Sequence, residues 1–341
     1  MKRHGVRISW VVVVAILFCF VASSVHSAEK VIRLRYAVWF PPTHRLAILS
    51  DQWCKEVEKR TNGAVKITPF MGGTLANPTQ VYEGILKGSF DIGGSALAYN
   101  TGRFPLTEVL DLPLGYRDAR QGALLHNAYL KKFKPYLKEF DEVKLFYLFP
   151  PGAGLIHTKK VVKNLEEIKG MRIRASGLNA KSVEALGAIP VTITIPETYD
   201  ALQRGIVDGL LMHTEVLQTF RLGELAKCTI KDHGISNGPA QYVMMNKKKW
   251  ESLPKSVQQV IDQLNEEYLE KTVKALMDMD DEVYVYLKKM GNTVVIVSKE
   301  EQAKTAAKMK PVFDEYVQRV KAKGLPGDEA LKFCLDFLKT H

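Results

Sequence analysis

Cysteine is scarce in this sequence, with four residues in a chain of 341. Cys19 lies inside an N-terminal apolar run, and Cys54, Cys228 and Cys334 are far apart in the remainder. Three widely spaced cysteines exclude a small disulfide-built scaffold, and no Cys-x-x-Cys pair points to a redox or zinc site. Two arrangements stay open, which are one disulfide with a free thiol or three buried thiols.

The motifs of common enzyme classes are also missing. There is no HExxH zinc motif and no P-loop sequence. The stretch Gly93–Leu97 (GGSAL) lacks the closing glycine of a nucleophile elbow. In the stretch that starts at Gly152 (GAGLIH), His157 takes the place of the third glycine of a dinucleotide fingerprint. These absences favour a binding protein over an enzyme, and they predict neither a cofactor nor a metal.

Only one long apolar run is present, Ile8–Ala22, and three basic residues precede it. A basic segment, an apolar core and small residues after it are typical of a secretory signal peptide. We expect cleavage after Ser27 or Ala28 and export to the periplasm. The run is shorter than the ~20 residues of a membrane span, which disfavours the alternative of a retained anchor.

Basic side chains outnumber acidic ones, with 48 Lys and Arg against 37 Asp and Glu. Loss of residues 1–27 removes three basic and no acidic side chains, which leaves a net charge of +8. The lysines are spread over the predicted helices and are not gathered with aromatic residues, so we predict no nucleic-acid binding. A basic balance suits the capture of small anions.

The length and pattern of the chain predict an α/β fold with two lobes. Residues 170–215 contain three short predicted strands, Met171–Ala175, Val191–Ile195 and Val207–Met212, which alternate with two helices. This alternation is typical of βαβ units and a parallel sheet. A helical period of apolar residues runs from Pro254 to about Met290 and predicts one long helix that spans both lobes.

The segment Pro150–Gly152 follows an apolar strand and marks the predicted crossing between the lobes. Gln241–Met245 is predicted to be a strand that returns to the first lobe. We therefore assign residues 28–151 and about 239–278 to lobe I, and residues 152–238 and about 279–341 to lobe II. A helix is expected from Asp118 to about Phe140, and two helices are expected at the end of the chain.

Arg174 is the first candidate site residue. It lies at the carboxyl end of a predicted strand, where ligands bind in open α/β sheets. Its forked, permanently charged guanidinium matches a carboxylate with two parallel hydrogen bonds. The alternative is a surface arginine that pairs with a nearby glutamate.

Longer segments of the sequence resemble a known family. The segments are WCKEVEKRTNGAVKI (53–67), GGTL (72–75), YNTGRFPLTEVLDLPL (99–114), HTKKVVKNLEEIKGMRIRASG (157–177) and ALGAIPVTITIPETYDALQRGIVDG (185–209). They resemble the DctP-type solute receptors of tripartite ATP-independent periplasmic (TRAP) transporters. The resemblance covers nearly all of the sequence after the signal peptide.

This resemblance implies a periplasmic binding protein fold with two lobes and a long helix across both. It implies a receptor that delivers a small organic carboxylate to a membrane permease, made of a small DctQ-type and a large DctM-type subunit and driven by an ion gradient. The signature arginine of the family, which pairs with the ligand carboxylate, falls on Arg174.

At three pocket positions the sequence departs from polar residues used in the family. A second arginine of the sialic-acid type falls on Gly154, a glutamate falls on Ala96, and an asparagine falls on Met212. These changes imply a less polar pocket, which suits an aromatic or branched monocarboxylate better than a sugar acid, because each buried hydroxyl needs a partner. A ligand screen tests this hypothesis.

The further candidates for ligand binding are Phe40, His44, Tyr99, Met212 and His213. Phe40 and Tyr99 are suited to stacking on a ring, and either histidine is suited to donating to a carboxylate oxygen. The alternative for each is ordinary packing between the lobes.

Two other functions stay open at this point. One is a periplasmic sensing subunit, in which the same lobes would pass their closed state to a signalling partner. The other is an exported α/β hydrolase, which the missing nucleophile motif disfavours. The sequence does not distinguish a monomer from a dimer.

Overall fold

The structure is a computed structural model that describes residues 31–235 and 238–341. The predicted signal peptide lies outside the described residues. Within them, no helix is both long and apolar enough to cross a lipid bilayer.

The described residues form strands and helices that alternate along much of the sequence. The strands are β1 (Ile32–Val38), β2 (Val65–Phe70), β3 (Ile92–Ala96), β4 (Val143–Phe149), β5 (Gly154–Thr158), β6 (Arg172–Arg174), β7 (Ile189–Val191), β8 (Gly209–His213), β9 (Cys228–Lys231), β10 (Gln241–Asn246) and β11 (Thr293–Ile296). The helices are α1 (Arg45–Arg60), α2 (Val81–Leu86), α3 (Ala119–Phe133), α4 (Asn179–Ala185), α5 (Ile195–Gln203), α6 (Val216–Thr219), α7 (Lys247–Glu251), α8 (Lys255–Lys289), α9 (Lys299–Lys308), α10 (Lys310–Lys321) and α11 (Gly327–Thr340).

The first sheet has five strands in the order β2-β1-β3-β10-β4. Strand β1 runs parallel to β2 and β3, whereas β10 is antiparallel to β3 and β4. In β10 the polypeptide therefore returns to the first sheet after it has built most of the second, which confirms the strand predicted at Gln241–Met245. Since β10 is antiparallel to β3, its first residue lies beside the carboxyl end of β3, where Gln241 is opposite Ala96.

The second sheet has six strands in the order β11-β9-β5-β8-β6-β7. Strands β7, β6 and β8 are parallel, as predicted for residues 170–215. Strand β5 is antiparallel to both of its neighbours, β8 and β9, so the sheet as a whole is mixed. The sequence pattern did not reveal β5 and β9, which are short and follow no helix signal.

Some predicted boundaries were wrong. The strand predicted at Val191–Ile195 lies at Ile189–Val191, because the side chains of Thr194 and Glu197 form a capping box that starts α5 at Ile195. Helix α3 ends at Phe133 rather than near residue 140. Pro135, two residues later, has no N–H to continue the helical hydrogen bonds, and short 3₁₀ turns follow. Three helices, not two, end the sequence.

The long helix predicted at Pro254–Met290 is confirmed as α8, an uninterrupted helix of 35 residues. It packs against α1, α3 and β4 on the side of the first sheet and against α6, which follows β8 of the second sheet. Of the last helices, α10 contacts α4, and α11 contacts α3 and the 3₁₀ segment Thr107–Asp111. The residue limits of the two lobes stay a prediction.

Cys54, Cys228 and Cys334 are buried and form no disulfide. Of the two arrangements left open by the sequence, the structure has three buried thiols. Burial raises the pKa of the Cys54 and Cys334 thiols, so the reactive thiolate is disfavoured. These cysteines therefore act as small packing residues.

A half-buried carboxylate lies where the backbone passes from one sheet to the other. A Cβ at Gly152 would lie 2.0 Å from Oδ2 of Asp280 on α8, so the crossing passes directly against this carboxylate. Burial, together with the charges of Glu215, Asp281 and Asp118, raises the pKa of Asp280 to about 7. Ionisation of Asp280 therefore opposes folding at neutral pH.

Asp280→Asn tests this cost. For an acid with a raised folded-state pKa, the cost is absent below the ordinary pKa of 3.8 and is complete above about pH 7. We expect Asp280→Asn to stabilise the protein more at pH 8 than at pH 5, by about 2 kcal/mol after allowance for partial solvent exposure. Chemical denaturation at both pH values measures this, with Glu270→Gln on the exposed side of the same helix as the control. Equal effects of the two variants at both pH values would contradict it.

Candidate functional site

The facing edges of the two sheets bring the candidate residues together. Strand β1 ends at Val38 and leads into Trp39 and Phe40, while β6 ends at Arg174 and β8 ends at His213. The carboxyl ends of parallel strands are the usual ligand-binding edge of an open α/β sheet. The site is therefore built from strand ends and the loops that follow them.

Arg174 is fully buried, and its guanidinium has no carboxylate partner among the described residues. Its Nε donates to the carbonyl oxygen of Ile193 at 2.9 Å, and its Nη2 donates to the hydroxyl oxygen of Tyr99 at 3.2 Å. Its Nη1 lies 3.4 Å from the sulfur of Met212, a weak acceptor. A buried cation without an anion is costly, which is the condition that a bound carboxylate would relieve.

Arg172, two residues earlier on the same strand, differs from Arg174 because it is exposed and paired with an acid. Its exposed guanidinium pairs with Asp208, with Nη2 at 3.0 Å from Oδ1. The alternative considered for Arg174, a surface arginine paired with an acid, therefore describes Arg172. The two side chains differ in burial, because Arg172 is exposed at the start of the strand and Arg174 is enclosed at its end.

Tyr99 joins the two lobes through its hydroxyl group. The oxygen accepts hydrogen bonds from Arg174 Nη2 and from the backbone N–H of Ile195, both at 3.2 Å. Ile195 is the first residue of α5, so a charged donor and a helix N-terminus are directed at the same oxygen. Both are donors that favour an anionic oxygen.

Aromatic rings form a wall beside this point. Trp39 stacks on Phe40 with centroids 3.9 Å apart, and Phe40 stacks on His44 at 4.4 Å. Phe220, which follows α6, faces Trp39 at 5.9 Å across the lobes. The sequence predicted Phe40 and His44 as site residues but missed Phe220, because no pattern distinguishes it from a core phenylalanine.

A buried glutamate lies between the two histidines of the site. Glu215 Oε2 is 3.7 Å from His44 Nε2, and Glu215 Oε1 is 3.6 Å from His213 Nε2. Burial alone would raise the pKa of Glu215, but His44, His213 and Thr219 outweigh it and hold the pKa below its ordinary value. Burial lowers the pKa of His213 to about 4, so this ring is neutral at pH 7. Sequence reasoning missed Glu215, although its position just after β8 was a usable signal.

Several buried polar atoms in this region have no hydrogen-bond partner among the described residues. They are Trp39 Nε1, His44 Nε2, both ring nitrogens of His213 and Gln241 Oε1. An unpaired buried polar group costs about 1–3 kcal/mol. Such groups are rare in folded proteins, and a cluster of them is expected where a ligand supplies the missing partners.

An open cleft of about 520 Å³ lies between the lobes, beside these residues. Its lining includes Trp39 and Tyr99 from the first lobe and Ile193 from the second. The lobes are close at its edge, where a Cβ at Gly177, whose φ is +57°, would lie 2.8 Å from that of Ala98. The volume is in the range of small-molecule sites, about 300–1,000 Å³.

The structure brings the six candidate residues into two groups, which meet where Met212 and His213 follow each other at the end of β8. Arg174 contacts Tyr99 and Met212, Phe40 stacks on His44, and Glu215 connects His44 with His213. Their role in ligand binding stays a prediction. In the described part of the sequence, no group of three or more His, Cys, Asp or Glu side chains is arranged to hold a metal ion.

The sequence matches the DctP family of bacterial extracellular solute-binding proteins, family 7, over residues 38–319. The protein belongs to this family. A TRAP periplasmic solute-binding protein from Desulfovibrio salexigens is 31% identical, with a TM-score of 0.79 over 91% of this chain and 96% of that one. The C-terminus of a symmetry mate is bound in the ligand-binding site of that structure. The resemblance and the two-lobed fold expected from the sequence are therefore confirmed.

For two other relatives the ligand is known from their descriptions. A TRAP protein from Bordetella bronchiseptica with bound (R)- and (S)-mandelate is 25% identical, with a TM-score of 0.81 over 91% of this chain and 99% of that one. A monocarboxylate 2-oxoacid-binding periplasmic protein from Nostoc sp. is 26% identical over 70% of this chain, which spans 66% of that protein. Members of the DctP family are periplasmic binding proteins that work with membrane permeases, and they are not enzymes.

Arg174→Met tests the cost of the buried cation. Methionine nearly keeps the length of the side chain and removes its charge. Because Arg174 has no ion-pair partner among the described residues, we expect the ligand-free variant to be about 1–2 kcal/mol more stable, even though the carbonyl of Ile193 loses a donor. Chemical denaturation measures this change. Arg172→Met, which removes only an exposed ion pair, should change stability by less than about 1 kcal/mol. Destabilisation by Arg174→Met beyond that of Arg172→Met would show that Arg174 is a structural residue.

Proposed function

We propose that this DctP-family receptor binds a small aromatic or branched monocarboxylate between its lobes and delivers it to a TRAP permease. The carboxylate takes the place at Arg174 where the hydroxyl oxygen of Tyr99 now accepts from Arg174 Nη2 and the N–H of Ile195. The observation that carries this proposal is a fully buried arginine with no acid partner among the described residues, at the end of a strand that faces the other lobe. A ligand carboxylate supplies the missing negative charge.

The proposal that the ligand is largely apolar depends on the residues at three positions. Gly154 lies opposite His213 in the strand pair, Ala96 lies opposite Gln241, and Met212 touches Arg174. Each is a position where the resemblance would allow a charged or amide side chain, and each is apolar here. A polyhydroxylated acid would therefore lack hydrogen-bond partners at these three positions.

The aromatic wall supports the same class of ligand. The Trp39–Phe40–His44 stack offers flat faces to a ring or a branched apolar group. Mandelate, an aromatic monocarboxylate, is bound in the Bordetella bronchiseptica relative, and the Nostoc relative is named for monocarboxylate 2-oxoacids. The C-terminus that occupies the ligand-binding site of the Desulfovibrio salexigens relative also ends in a carboxylate.

The proposed function also includes delivery of the bound ligand to a membrane permease. The permease would consist of a small DctQ-type and a large DctM-type subunit, and the receptor would reach the periplasm after cleavage at Ser27 or Ala28. His44, His213 and Glu215 are buried. They offer hydrogen-bond partners to a further polar atom of the ligand.

A thermal-shift screen of residues 28–341 tests the ligand class. The screen compares benzoate, mandelate, branched 2-oxo acids, a C4-dicarboxylate and sialic acid. A ligand at 100 times its dissociation constant adds about 2.7 kcal/mol of stability. We expect aromatic or branched monocarboxylates to stabilise the wild type and Arg172→Met, but not Arg174→Met. Tightest binding of sialic acid or a C4-dicarboxylate would contradict the ligand class, and equal stabilisation of all three proteins would contradict the role of Arg174.

A further inference from the structure

The hydroxyl oxygen of Tyr99 lies where two donors of the second sheet converge. Arg174 Nη2 and the backbone N–H of Ile195 both donate to it at 3.2 Å. Arg174 ends β6 and Ile195 begins α5, whereas Tyr99 ends the 3₁₀ turn Leu97–Tyr99 that follows β3 of the first sheet. One phenol oxygen therefore links the two lobes through two hydrogen bonds.

Both donors favour an anionic oxygen over a neutral one. The guanidinium of Arg174 carries a full positive charge, and the N-terminus of α5 carries a partial one. Hydrogen bonds to an ionised acceptor are about twice as strong as bonds between neutral groups. A phenol hydroxyl is a neutral acceptor, so Tyr99 takes the position of a carboxylate oxygen without supplying its charge.

A carboxylate oxygen and the Tyr99 hydroxyl compete for these donors. The backbone N–H of Ile195 has a single hydrogen, which Tyr99 already accepts. On Arg174, Nε donates to the carbonyl oxygen of Ile193 at 2.9 Å, and Nη1 faces the sulfur of Met212 at 3.4 Å. A carboxylate oxygen that accepts from both the guanidinium and the helix N-terminus must therefore displace the phenol oxygen.

The surroundings of Tyr99 allow this displacement and connect it with the contact between the lobes. Tyr99 is only partly buried, and it lines the open cleft of about 520 Å³, so its ring has space to move. The preceding residue, Ala98, lies against Gly177 of the second lobe, where a Cβ would be 2.8 Å from that of Ala98. Loss of the two hydrogen bonds therefore removes part of what holds the lobes together at this point.

We propose that the Tyr99 hydroxyl is an internal competitor of the ligand, which holds the lobes together through Arg174 and Ile195 until a carboxylate takes its two donors. The inference rests on the proposed function, since Arg174 must be the anchor of the carboxylate. The apparent dissociation constant is then the intrinsic one divided by the fraction of receptor in which the donors are free. The hydroxyl thus lowers the affinity and slows ligand entry, and it has no part in the bound complex.

Tyr99→Phe isolates this role, because it keeps the ring and removes the oxygen. The variant should fold, since Tyr99 lines an open cleft from which water reaches the N–H of Ile195. Tyr199→Phe is the matched control. It removes a phenol hydroxyl on α5 that donates to Glu224 Oε2 at 3.0 Å, and it leaves the hydrogen bonds of Tyr99 in place.

Stopped-flow and calorimetric titrations of residues 28–341 with benzoate, mandelate and a branched 2-oxo acid test the proposal. We expect Tyr99→Phe to bind these acids at least about tenfold more tightly than the wild type, as the release of a hydrogen bond from a charged donor implies. Association should be faster by the same factor and dissociation unchanged, and Tyr199→Phe should match the wild type. Small-angle X-ray scattering should give ligand-free Tyr99→Phe a larger radius of gyration than the ligand-free wild type.

The outcomes separate the competition from the proposed function. Weaker binding with faster dissociation in Tyr99→Phe would show that the hydroxyl donates to the bound carboxylate, and unchanged affinity would show that it does not compete. Either result would overturn the inference and leave the proposed function standing. Equal radii of gyration of the ligand-free proteins would overturn the part of Tyr99 in holding the lobes. Absence of binding by all of these acids, to the wild type and to Tyr99→Phe alike, would overturn both the inference and the proposed function.

Discussion

The buried guanidinium of Arg174 is the constraint on which the site depends. It is held by a backbone carbonyl, a phenol oxygen and a thioether, and none of these carries a full negative charge. A fold that keeps such a group in its interior gives up stability. In the function proposed for this receptor, the same charge that weakens the empty protein would strengthen its complex with an anion.

The surrounding chemistry limits which anion fits. Glu215 is a second buried charge, of opposite sign, and the rings of His44 and His213 lie on either side of it. A ligand that carried a second negative charge towards Glu215 would be repelled. The apolar positions Gly154 and Met212 leave little to solvate a sugar. Charge and polarity together favour one carboxylate on an otherwise apolar ligand.

Much of this arrangement was predictable from sequence because strand ends and helix caps have local signals. Arg174 was found from its place at the end of a strand, and α8 from its apolar period over 35 residues. The strands β5 and β9 were missed, since antiparallel strands inserted beside parallel ones have no signal of their own. Glu215, Phe220 and Gln241 were missed because their importance comes from contacts between distant segments, which periodicity does not encode.

Recognition of the ligand carboxylate charge by Arg174 is tested most directly by a cycle that pairs a protein variant with a ligand variant. The affinities of benzoate and of benzamide, its neutral analogue, would be measured for the wild type and for Arg174→Met. We expect Arg174→Met to weaken the binding of benzoate at least about 100-fold more than that of benzamide, a coupling of about 2.7 kcal/mol. Equal losses for the two ligands would show that Arg174 shapes the pocket without recognising the carboxylate charge.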